Sequence, residues 1–264
     1  MSSGTQKKRV TSDHSRHWLP PLPELVKRAA GLVAVVTGTS RGIGRDVARL
    51  LTSEGAHVLG CARTTPAEED GFEQLSLDLA DPGSPEALFD RAIDHCGRID
   101  IWINNAGILT PVTQLRRASG HELATAISVN ATAVAISSAL FAAHVAGRDG
   151  GGVLINLSSG AATGIYEGWA HYCAAKAFVD SLTSVVALEE KRNGLRAYAV
   201  APGMVDTDMQ TLLRSTPEDQ LPTRQRFVER FEAGELKTPE VAAAQLVEIA
   251  LGTQQPEEAV LRLR

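Results

Sequence analysis

The feature that most constrains the fold is an apolar run followed at once by a glycine-rich segment. Residues 32–37 read Leu-Val-Ala-Val-Val-Thr, as in a strand buried on both faces of a parallel sheet. Residues 38–44 then carry glycines in the spacing G-x-x-x-G-x-G, and an amphipathic helix is predicted to about residue 54. This arrangement predicts an anion site, because the backbone N–H groups and the dipole of the helix both face the ligand. The alternative is a glycine-rich turn without a ligand.

Buried strands and helices continue to alternate along the chain. Strands are predicted at residues 57–63, 72–78, 99–103, 153–157, 195–200 and 259–263, and helices at 85–96, 119–145, 170–190 and 239–251. Such alternation requires right-handed crossovers and gives a parallel sheet. A length of 264 residues suits a single domain. We therefore predict an α/β fold, a single-domain Rossmann-type doubly wound parallel β-sheet with helices on both faces.

Two segments depart from this pattern. Residues 1–29 are rich in Ser, Lys, Arg and Pro and lack the apolar centre of a secretory signal, so we predict a flexible N-terminal tail. An organelle transit peptide is the alternative, although Asp13 and Glu24 argue against it. Residues 206–238 are charged and interrupted by proline, and they are too long for a simple connection. We predict that they form a substrate lid within a domain spanning residues 30–264.

Composition excludes several classes of partner. The net charge of −5 argues against nucleic acid, and no continuous apolar run approaches the roughly 18 residues of a membrane helix. The three cysteines contain no C-x-x-C pair, which favours reduced thiols in a cytosol-like compartment. We therefore predict a cytoplasmic protein with no nucleic-acid or membrane partner, and we predict no metal site.

Tyr172 and Lys176 are candidates for acid–base chemistry. Their spacing places both side chains on one face of a predicted helix. An ammonium near a phenol lowers the pKa of the phenol, which makes it a better proton donor at neutral pH. By itself the pair is more often two surface residues. Other polar residues at strand ends strengthen the functional interpretation.

The end of the second predicted strand bears on the choice of cofactor. A carboxylate there would bind the ribose 2′-hydroxyl of NAD, whereas an arginine suits a 2′-phosphate. Ala62 and Arg63 occupy this place, so a 2′-phosphate is favoured. Asp78 and Leu79 end the third strand and are candidates for contact with adenine; a turn carboxylate is the alternative for Asp78. Asn130, in the middle of a predicted helix, requires an explanation because asparagine is a poor helix former.

These motifs together resemble the short-chain dehydrogenase/reductase family over residues 31–264. The resemblance is carried by Thr37-Gly38-x-x-x-Gly42-Ile43-Gly44, Asn104-Asn105-Ala106-Gly107, Asn130, Ser159, Tyr172-x-x-x-Lys176 and Pro202-Gly203. The segments around Tyr172 and after Asp206 are similar to sepiapterin reductases and to bacterial diketone reductases of the benzil type. A sugar epimerase on a related fold is disfavoured by the glycine spacing.

The resemblance implies an enzyme with NADPH/NADP+ as cofactor and a small-molecule carbonyl substrate, assembled as a homodimer or homotetramer. Its catalytic residues are Asn130, Ser159, Tyr172 and Lys176. Tyr172 is implied as the proton donor, Lys176 lowers its pKa, Ser159 binds the carbonyl oxygen, and Asn130 positions a water. The implied cofactor-binding residues are Gly38, Ser40, Arg41, Gly42, Ile43, Gly44, Arg63, Asp78, Leu79, Asn105, Ala106, Gly107, Tyr172, Lys176, Pro202, Gly203, Val205 and Thr207.

The substrate pocket is expected to be apolar and aromatic. Its predicted residues are Leu109, Ser159, Tyr166, Trp169, Met204 and Met209, of which Tyr166 and Trp169 could instead be loop anchors. Sepiapterin reductases hold the pterin with a carboxylate near the chain end, and by our alignment Arg262 stands at that place. We therefore expect reduction of a hydrophobic ketone or diketone, with an acidic group of the substrate facing Arg262. The alternatives are a sepiapterin/pterin reductase and a non-catalytic NADP-binding regulator on the same fold.

Overall fold

A single parallel sheet forms the centre of the molecule. The computed structural model of the protein describes residue 1 and residues 27–64 and 71–263. Its strands are β1 Val33–Thr37, β2 His57–Ala62, β3 Glu73–Ser76, β4 Ile101–Asn104, β5 Gly152–Leu157, β6 Leu195–Ala201 and β7 Val260–Arg262. They lie in the order β3-β2-β1-β4-β5-β6-β7, and every neighbouring pair is parallel. The predicted doubly wound parallel sheet is confirmed.

The strand order creates a crevice between β1 and β4. From β1 the chain builds outward to β3, and it then returns to place β4 on the other side of β1. The segments that follow β1 and β4 therefore diverge at the carboxyl ends of these strands. Open α/β sheets bind ligands at such a switch point.

Helices cover both faces of the sheet. Their bounds are α1 Gly42–Ser53, α2 Ser84–Cys96, α3 Gly120–Ile127, α4 Ala133–Ala146, α5 Ala170–Glu189, α6 Asp208–Ser215, α7 Arg224–Glu232 and α8 Pro239–Ala250. On one face Val36 packs in a core with Leu51 of α1 and Leu246 of α8. On the other face Val35 packs in a core that contains Phe141 of α4. Because successive residues of β1 enter opposite cores, its sequence is apolar without alternation.

The sheet domain begins slightly before the predicted boundary at residue 30. Ala29 is fully buried. Arg28 forms ion pairs with Glu54, at the end of α1, and with Glu248 of α8, at 2.6 Å and 2.7 Å. Residues 2–26 of the predicted tail lie outside the described residues.

The helix predicted over residues 119–145 is interrupted. α3 begins with a capping box, in which Glu122 N–H donates to the Ser119 hydroxyl and the Glu122 carboxylate accepts from Ser119 N–H. Between α3 and α4, residues Ser128–Thr132 form a π-helical turn that contains Asn130. Such turns are rare and are frequent at functional sites. The interruption was not predicted, because the apolar residues of the sequence continue through it.

The combined helical stretch Gly120–Ala146 corrects one expectation about length. It has 27 residues, and its most apolar 18-residue window has a mean hydropathy of 1.7, so by length and composition it could cross a membrane. However, 56% of its most apolar window is buried inside the fold. α4 packs between the sheet, α2 and α5, and this packing accounts for its apolar composition.

The predicted lid segment contains two helices. α6 and α7 pack against each other between β6 and α8. A bridge between Val205 and Lys237 joins the two ends of the segment, so it leaves and re-enters the body at one place. Phe227 of α7 stacks on Trp169, with 5.4 Å between the ring centres. Closure of this segment over a substrate stays a prediction.

Candidate active site

The glycine-rich turn after β1 leaves the N-terminus of α1 facing the crevice. Arg41, which precedes the helix, provides no side-chain cap, and the first turn contains no acidic residue. Gly38 has a φ of 74°, and a Cβ there would lie 2.9 Å from the Cα of Ala106. A Cβ on Gly44 would overlap the Asn105 side chain and the Gly38 carbonyl. The turn therefore requires glycine at both positions, and it presents the first N–H groups of the helix to an anion.

The turn after β4 is joined to the glycine-rich turn by hydrogen bonds. Asn105 Nδ2 donates to the carbonyl oxygens of Thr37 and Gly38 at 2.9 Å and 3.2 Å. The Thr37 hydroxyl accepts from the backbone N–H groups of Asn105 and Ala106, both at 3.0 Å. Asn105 thus holds the two sides of the crevice at a constant separation.

A cavity of about 540 Å³ opens at the carboxyl ends of the strands. Of the residues predicted to bind cofactor, all line this cavity except Gly44, which packs behind the turn. Those that line it are Gly38, Ser40, Arg41, Gly42, Ile43, Arg63, Asp78, Leu79, Asn105, Ala106, Gly107, Tyr172, Lys176, Pro202, Gly203, Val205 and Thr207. A glycine cradle beside an uncapped helix N-terminus suits the pyrophosphate of a dinucleotide.

Two arginines stand at one end of this cavity. Arg63 follows β2, and together with Ser40, Arg41 and Thr64 it lines a recess beside the main cavity. Arg41 also forms an ion pair with Asp208 of α6 at 2.7 Å, and both side chains are largely exposed. Exposed pairs of this kind are weak, so Arg41 can exchange its partner for a more highly charged anion.

Asp78 serves as a turn residue. Its Oδ1 accepts from the backbone N–H of Ala80 at 3.0 Å. The interpretation as a turn carboxylate is therefore correct. Asp78 also lines the cavity, and its contact with adenine stays a prediction.

Three of the four residues predicted to be catalytic meet on the cavity wall. Ser159 follows β5, its hydroxyl accepts from the backbone N–H of Ala161 at 3.1 Å, and its side chain faces Tyr172 across the cavity wall. Lys176 lies one turn after Tyr172 on α5, and its Nζ is 5.6 Å from the centre of the Tyr172 ring. The ammonium donates to the carbonyl oxygen of Leu157 at 2.6 Å. Tyr172 and Lys176 are 6% and 4% exposed, so their charges depend strongly on their surroundings.

Burial changes the proton affinities of both groups. It raises the pKa of Tyr172 to about 12, although the neighbouring Ser159 side chain acts in the opposite direction. Burial also lowers the pKa of Lys176 to about 8, opposed by the nearby carboxylate of Asp180. The expectation of a lowered Tyr172 pKa is therefore wrong for this structure, because desolvation of the phenol outweighs the other influences. At neutral pH the phenol keeps its proton.

Asn130 lies behind the cavity wall. It is fully buried, its Oδ1 accepts from Ile108 N–H at 2.9 Å, and its Nδ2 donates to the Ile108 carbonyl at 2.7 Å. The side chain therefore connects the π-helical turn to the segment after β4. Its predicted role in positioning a water stays a prediction.

Three of the six residues predicted for the substrate pocket line the cavity. Ser159, Trp169 and Met209 line the cavity, whereas Leu109, Tyr166 and Met204 do not. Leu109 is buried and its carbonyl contacts His171, Tyr166 stacks on Trp169 at 4.8 Å, and the Met204 sulfur contacts Arg230. Tyr166 is thus the loop anchor that the sequence left as an alternative.

Several wall residues were not predicted. They include Ile108, Thr125, Val129, Leu157, Gln210 and Leu213. Leu213 lies four residues after Met209 on α6, so the helical period starting from Met209 could have identified it. Thr125 and Val129 have the same spacing, but no feature of the sequence indicated which face of that helix meets the cavity.

Arg262 does not occupy the place expected for it. It lies on β7 and forms an ion pair with Asp180 of α5, and it is not among the residues that line the cavity. The expectation that an acidic group of the substrate faces Arg262 is therefore withdrawn. The sequence alignment assigned its position but not the direction of its side chain.

One group of potential metal ligands occurs among the described residues. Atoms of His57, Glu73 and His95 lie within 4.8 Å of one another. Glu73 already accepts from Arg91 at 2.7 Å and pairs with His95 at 2.9 Å. His57 and Glu73 begin β2 and β3, at the opposite end of the sheet from the cavity. We assign no metal to this group.

Comparison with known proteins places this architecture in a family. Residues 32–218 match the short chain dehydrogenase family. The chain is 32% identical over 244 residues to a benzil reductase ((S)-benzoin forming) of Bacillus cereus, covering 87% of this chain and 98% of the relative. It is 34% identical over 223 residues to a 3-oxoacyl-[acyl-carrier-protein] reductase of Vibrio cholerae, covering 81% and 88%.

A solved structure gives the same result. The crystal structure of a short-chain dehydrogenase/reductase from Saccharomyces cerevisiae superimposes with a TM-score of 0.79 at 26% identity, covering 88% of this chain and 95% of that one. The fold, the glycine cradle and the Ser159–Tyr172–Lys176 cluster agree with this likeness. The protein is therefore an oxidoreductase acting on carbonyl or hydroxyl groups, and it belongs to the short-chain dehydrogenase/reductase family, whose members use nicotinamide cofactors.

Proposed function

We propose that the protein is an NADPH-dependent reductase that converts a hydrophobic ketone or diketone to an alcohol. The observation that carries this proposal is the meeting of Ser159, Tyr172 and Lys176 on the wall of the cavity that also contains the glycine cradle. One end of the cavity suits a phosphorylated dinucleotide. The other end offers a hydroxyl pair to a carbonyl oxygen.

The residues of the chain divide the work of reduction. Ser159 donates a hydrogen bond to the substrate oxygen, and Tyr172 gives that oxygen its proton as negative charge develops there. The raised pKa of Tyr172 means that the proton is present at neutral pH. Lys176 supplies positive charge one helical turn away, which favours the phenolate left after proton transfer. The bound cofactor supplies the hydride, which forms the new C–H bond at the carbonyl carbon.

The cavity wall supports an apolar substrate. Trp169 stands at the centre of an aromatic cluster, and Met209 and Leu213 of α6 complete the apolar side. Three carboxylates line the cavity, those of Asp78, Asp206 and Asp208. We assign all three to the cofactor end. Two relatives named as benzil reductases point to the same class of substrate, an aromatic vicinal diketone.

We expect a hydrophobic vicinal diketone such as benzil to exceed sepiapterin in kcat/KM by at least about tenfold with NADPH. No residue of β7 lines the cavity, so this strand offers no charged acceptor to the polar edge of a pterin. A missing charged acceptor costs roughly 2–5 kcal/mol. Steady-state rates with both substrates under the same conditions decide the question. Sepiapterin emerging as the better substrate would show that the pterin is held by other residues.

The activity itself is tested by NADPH oxidation against a panel of diketones, pterins, quinones, steroids and ketoacyl thioesters. Turnover of one class above the others identifies the substrate type. Tight NADPH binding without turnover of any member would favour the second candidate, a cofactor-binding regulator. The burial of a lysine beside a tyrosine argues for catalysis, because a regulator gains nothing from the desolvation cost of that lysine.

We also propose that the protein forms a homodimer or homotetramer. Phe178, Val185 and Leu188 of α5 are 42%, 48% and 79% exposed, and their spacing places them on one side of the helix. Large apolar side chains grouped on a surface helix are typical of an interface. We expect sedimentation velocity at micromolar concentration to show a dimer or tetramer.

Two variants test whether this surface of α5 is the interface. Leu188→Glu is expected to shift the sedimenting species toward monomer. Leu115→Glu, which changes an exposed leucine outside α5, serves as the control. A wild-type protein that sediments only as monomer contradicts the assembly. We further propose that the enzyme is soluble and cytoplasmic, in accordance with its reduced cysteines and the packing of its apolar helix.

A further inference from the structure

Two side chains of α5 form hydrogen bonds with two successive residues at the end of β5. Lys176 Nζ donates to the carbonyl oxygen of Leu157 at 2.6 Å. One turn later, the carboxylate of Asp180 accepts from the hydroxyl of Ser158, which is 4% exposed. The next residue is Ser159, whose side chain contacts Tyr172. The strand end that carries Ser159 is therefore attached to the helix that carries Tyr172 and Lys176.

The last strand of the sheet completes this arrangement. The second carboxylate oxygen of Asp180 forms an ion pair with Arg262 of β7, which pairs in register with Ala201 of β6. The side chain of Asp180 is 15% exposed and that of Arg262 is 34% exposed. A partly buried carboxylate that satisfies two different partners has little freedom to turn elsewhere.

The charge of Asp180 also acts on the buried ammonium. Around Lys176, the charged or titratable groups of the described elements are Tyr172 and Asp180 on its own helix, with Arg262 behind Asp180. Gly107 and the carbonyl of Leu157, which also lie beside the ammonium, carry no charge. The carboxylate acts against the desolvation that lowers the pKa of Lys176. Because Arg262 forms an ion pair with Asp180, we expect it to offset part of this effect.

We propose that Asp180 is a positioning residue of this active site, which fixes the backbone before Ser159 through Ser158 and maintains the positive charge of Lys176, with Arg262 moderating its charge. The inference rests on the proposed carbonyl reduction. Asp180 is not one of the six residues predicted for the substrate pocket, and it does not line the cavity. Its effect is transmitted through Ser158 and Lys176.

Three variants separate the two parts of this role. Asp180→Asn preserves the shape of the side chain but removes its charge. Arg262→Gln leaves Asp180 in place with its charge less neutralised. Ser158→Ala removes the hydrogen bond and alters no charge. Glu189→Gln is the matched control, because it removes an exposed carboxylate from the same helix away from the site.

The pH dependence of kcat/KM for reduction distinguishes these variants. Loss of the ammonium proton is expected to end activity on the alkaline side. Asp180→Asn should move that limb to lower pH by about one unit, and Arg262→Gln should move it to higher pH. Ser158→Ala should lower kcat with the limb unmoved, and Glu189→Gln should change neither quantity. If Asp180 had only a structural role, Asp180→Asn and Arg262→Gln would not move the alkaline limb in opposite directions.

The titration of Lys176 gives a readout independent of turnover. The ε-methylene resonance of Lys176 in protein labelled with ¹³C-lysine, assigned with Lys176→Arg, should titrate at lower pH in Asp180→Asn and at higher pH in Arg262→Gln. If no carbonyl compound is reduced but these shifts appear, the proposed function fails and the coupling stands. If reduction occurs and the Lys176 resonance titrates identically in all variants, the inference is overturned. Arg262 is a partly exposed residue at the edge of the sheet. Arg262→Gln therefore still tests the inference if Asp180→Asn does not fold.

Discussion

Replacing Tyr172 by phenylalanine is expected to lower kcat for carbonyl reduction by about 10²–10⁴-fold, the usual contribution of general acid catalysis. The phenol is 6% exposed, holds its proton at neutral pH and lies beside Ser159 on the cavity wall. The variant retains the ring that fills this place and removes only the proton donor. NADPH affinity, measured by quenching of protein fluorescence, should change little.

Tyr166→Phe is the matched control for this experiment. Tyr166 lies in the loop that precedes α5 and stacks on Trp169, but it does not line the cavity. Removal of its hydroxyl should leave kcat within about twofold, since surface and peripheral changes have small effects. A Tyr172→Phe enzyme that kept more than roughly a tenth of the wild-type rate would show that another group donates the proton.

The second large effect concerns the cofactor. We expect kcat/KM with NADPH to exceed that with NADH by about ten- to a hundredfold, because one hydrogen bond to a charged group contributes roughly 1.5–3 kcal/mol. Arg63 and Arg41 border the recess where a 2′-phosphate would lie, and Ala62 adds no carboxylate to repel it. Arg41 would then leave Asp208 for the phosphate, a stronger partner than an exposed carboxylate.

The double variant Ala62→Asp with Arg63→Ile tests the cause of this preference. It restores a carboxylate for the ribose hydroxyls and removes one cation, so NADH should become the better cofactor. Arg226→Gln, an exposed arginine of α7, serves as the control for a change of charge alone. Equal kcat/KM values of the wild type for both cofactors would refute the preference, and an unchanged preference in the double variant would place its origin elsewhere.

The fold could be predicted because its signals are local. The apolar run of β1 and the glycines at 38, 42 and 44 lie within a dozen residues, and backbone geometry admits few ways to join such a strand to a helix. Tyr172 and Lys176 are likewise joined by one helical turn, so their common face follows from the period of the helix. These predictions required no knowledge of contacts between distant segments.

Contacts between distant segments decided the remainder. Arg262 and Asp180 are 82 positions apart, and only the placement of β7 beside β6 over α5 turns them toward each other. Leu109 and Met204 looked like pocket residues by sequence position, but their side chains pack behind the wall.

The change in the pKa of Tyr172 was likewise decided by contacts between distant segments. From the sequence alone, its neighbour Lys176 is the nearest known charge, and a lowered pKa follows. The tertiary structure instead buries the phenol and raises its pKa to about 12. Sequence spacing thus determined which groups are neighbours along one helix. The packing of the sheet, α5 and the lid segment determined how much water those groups retain, and desolvation depends on that packing alone.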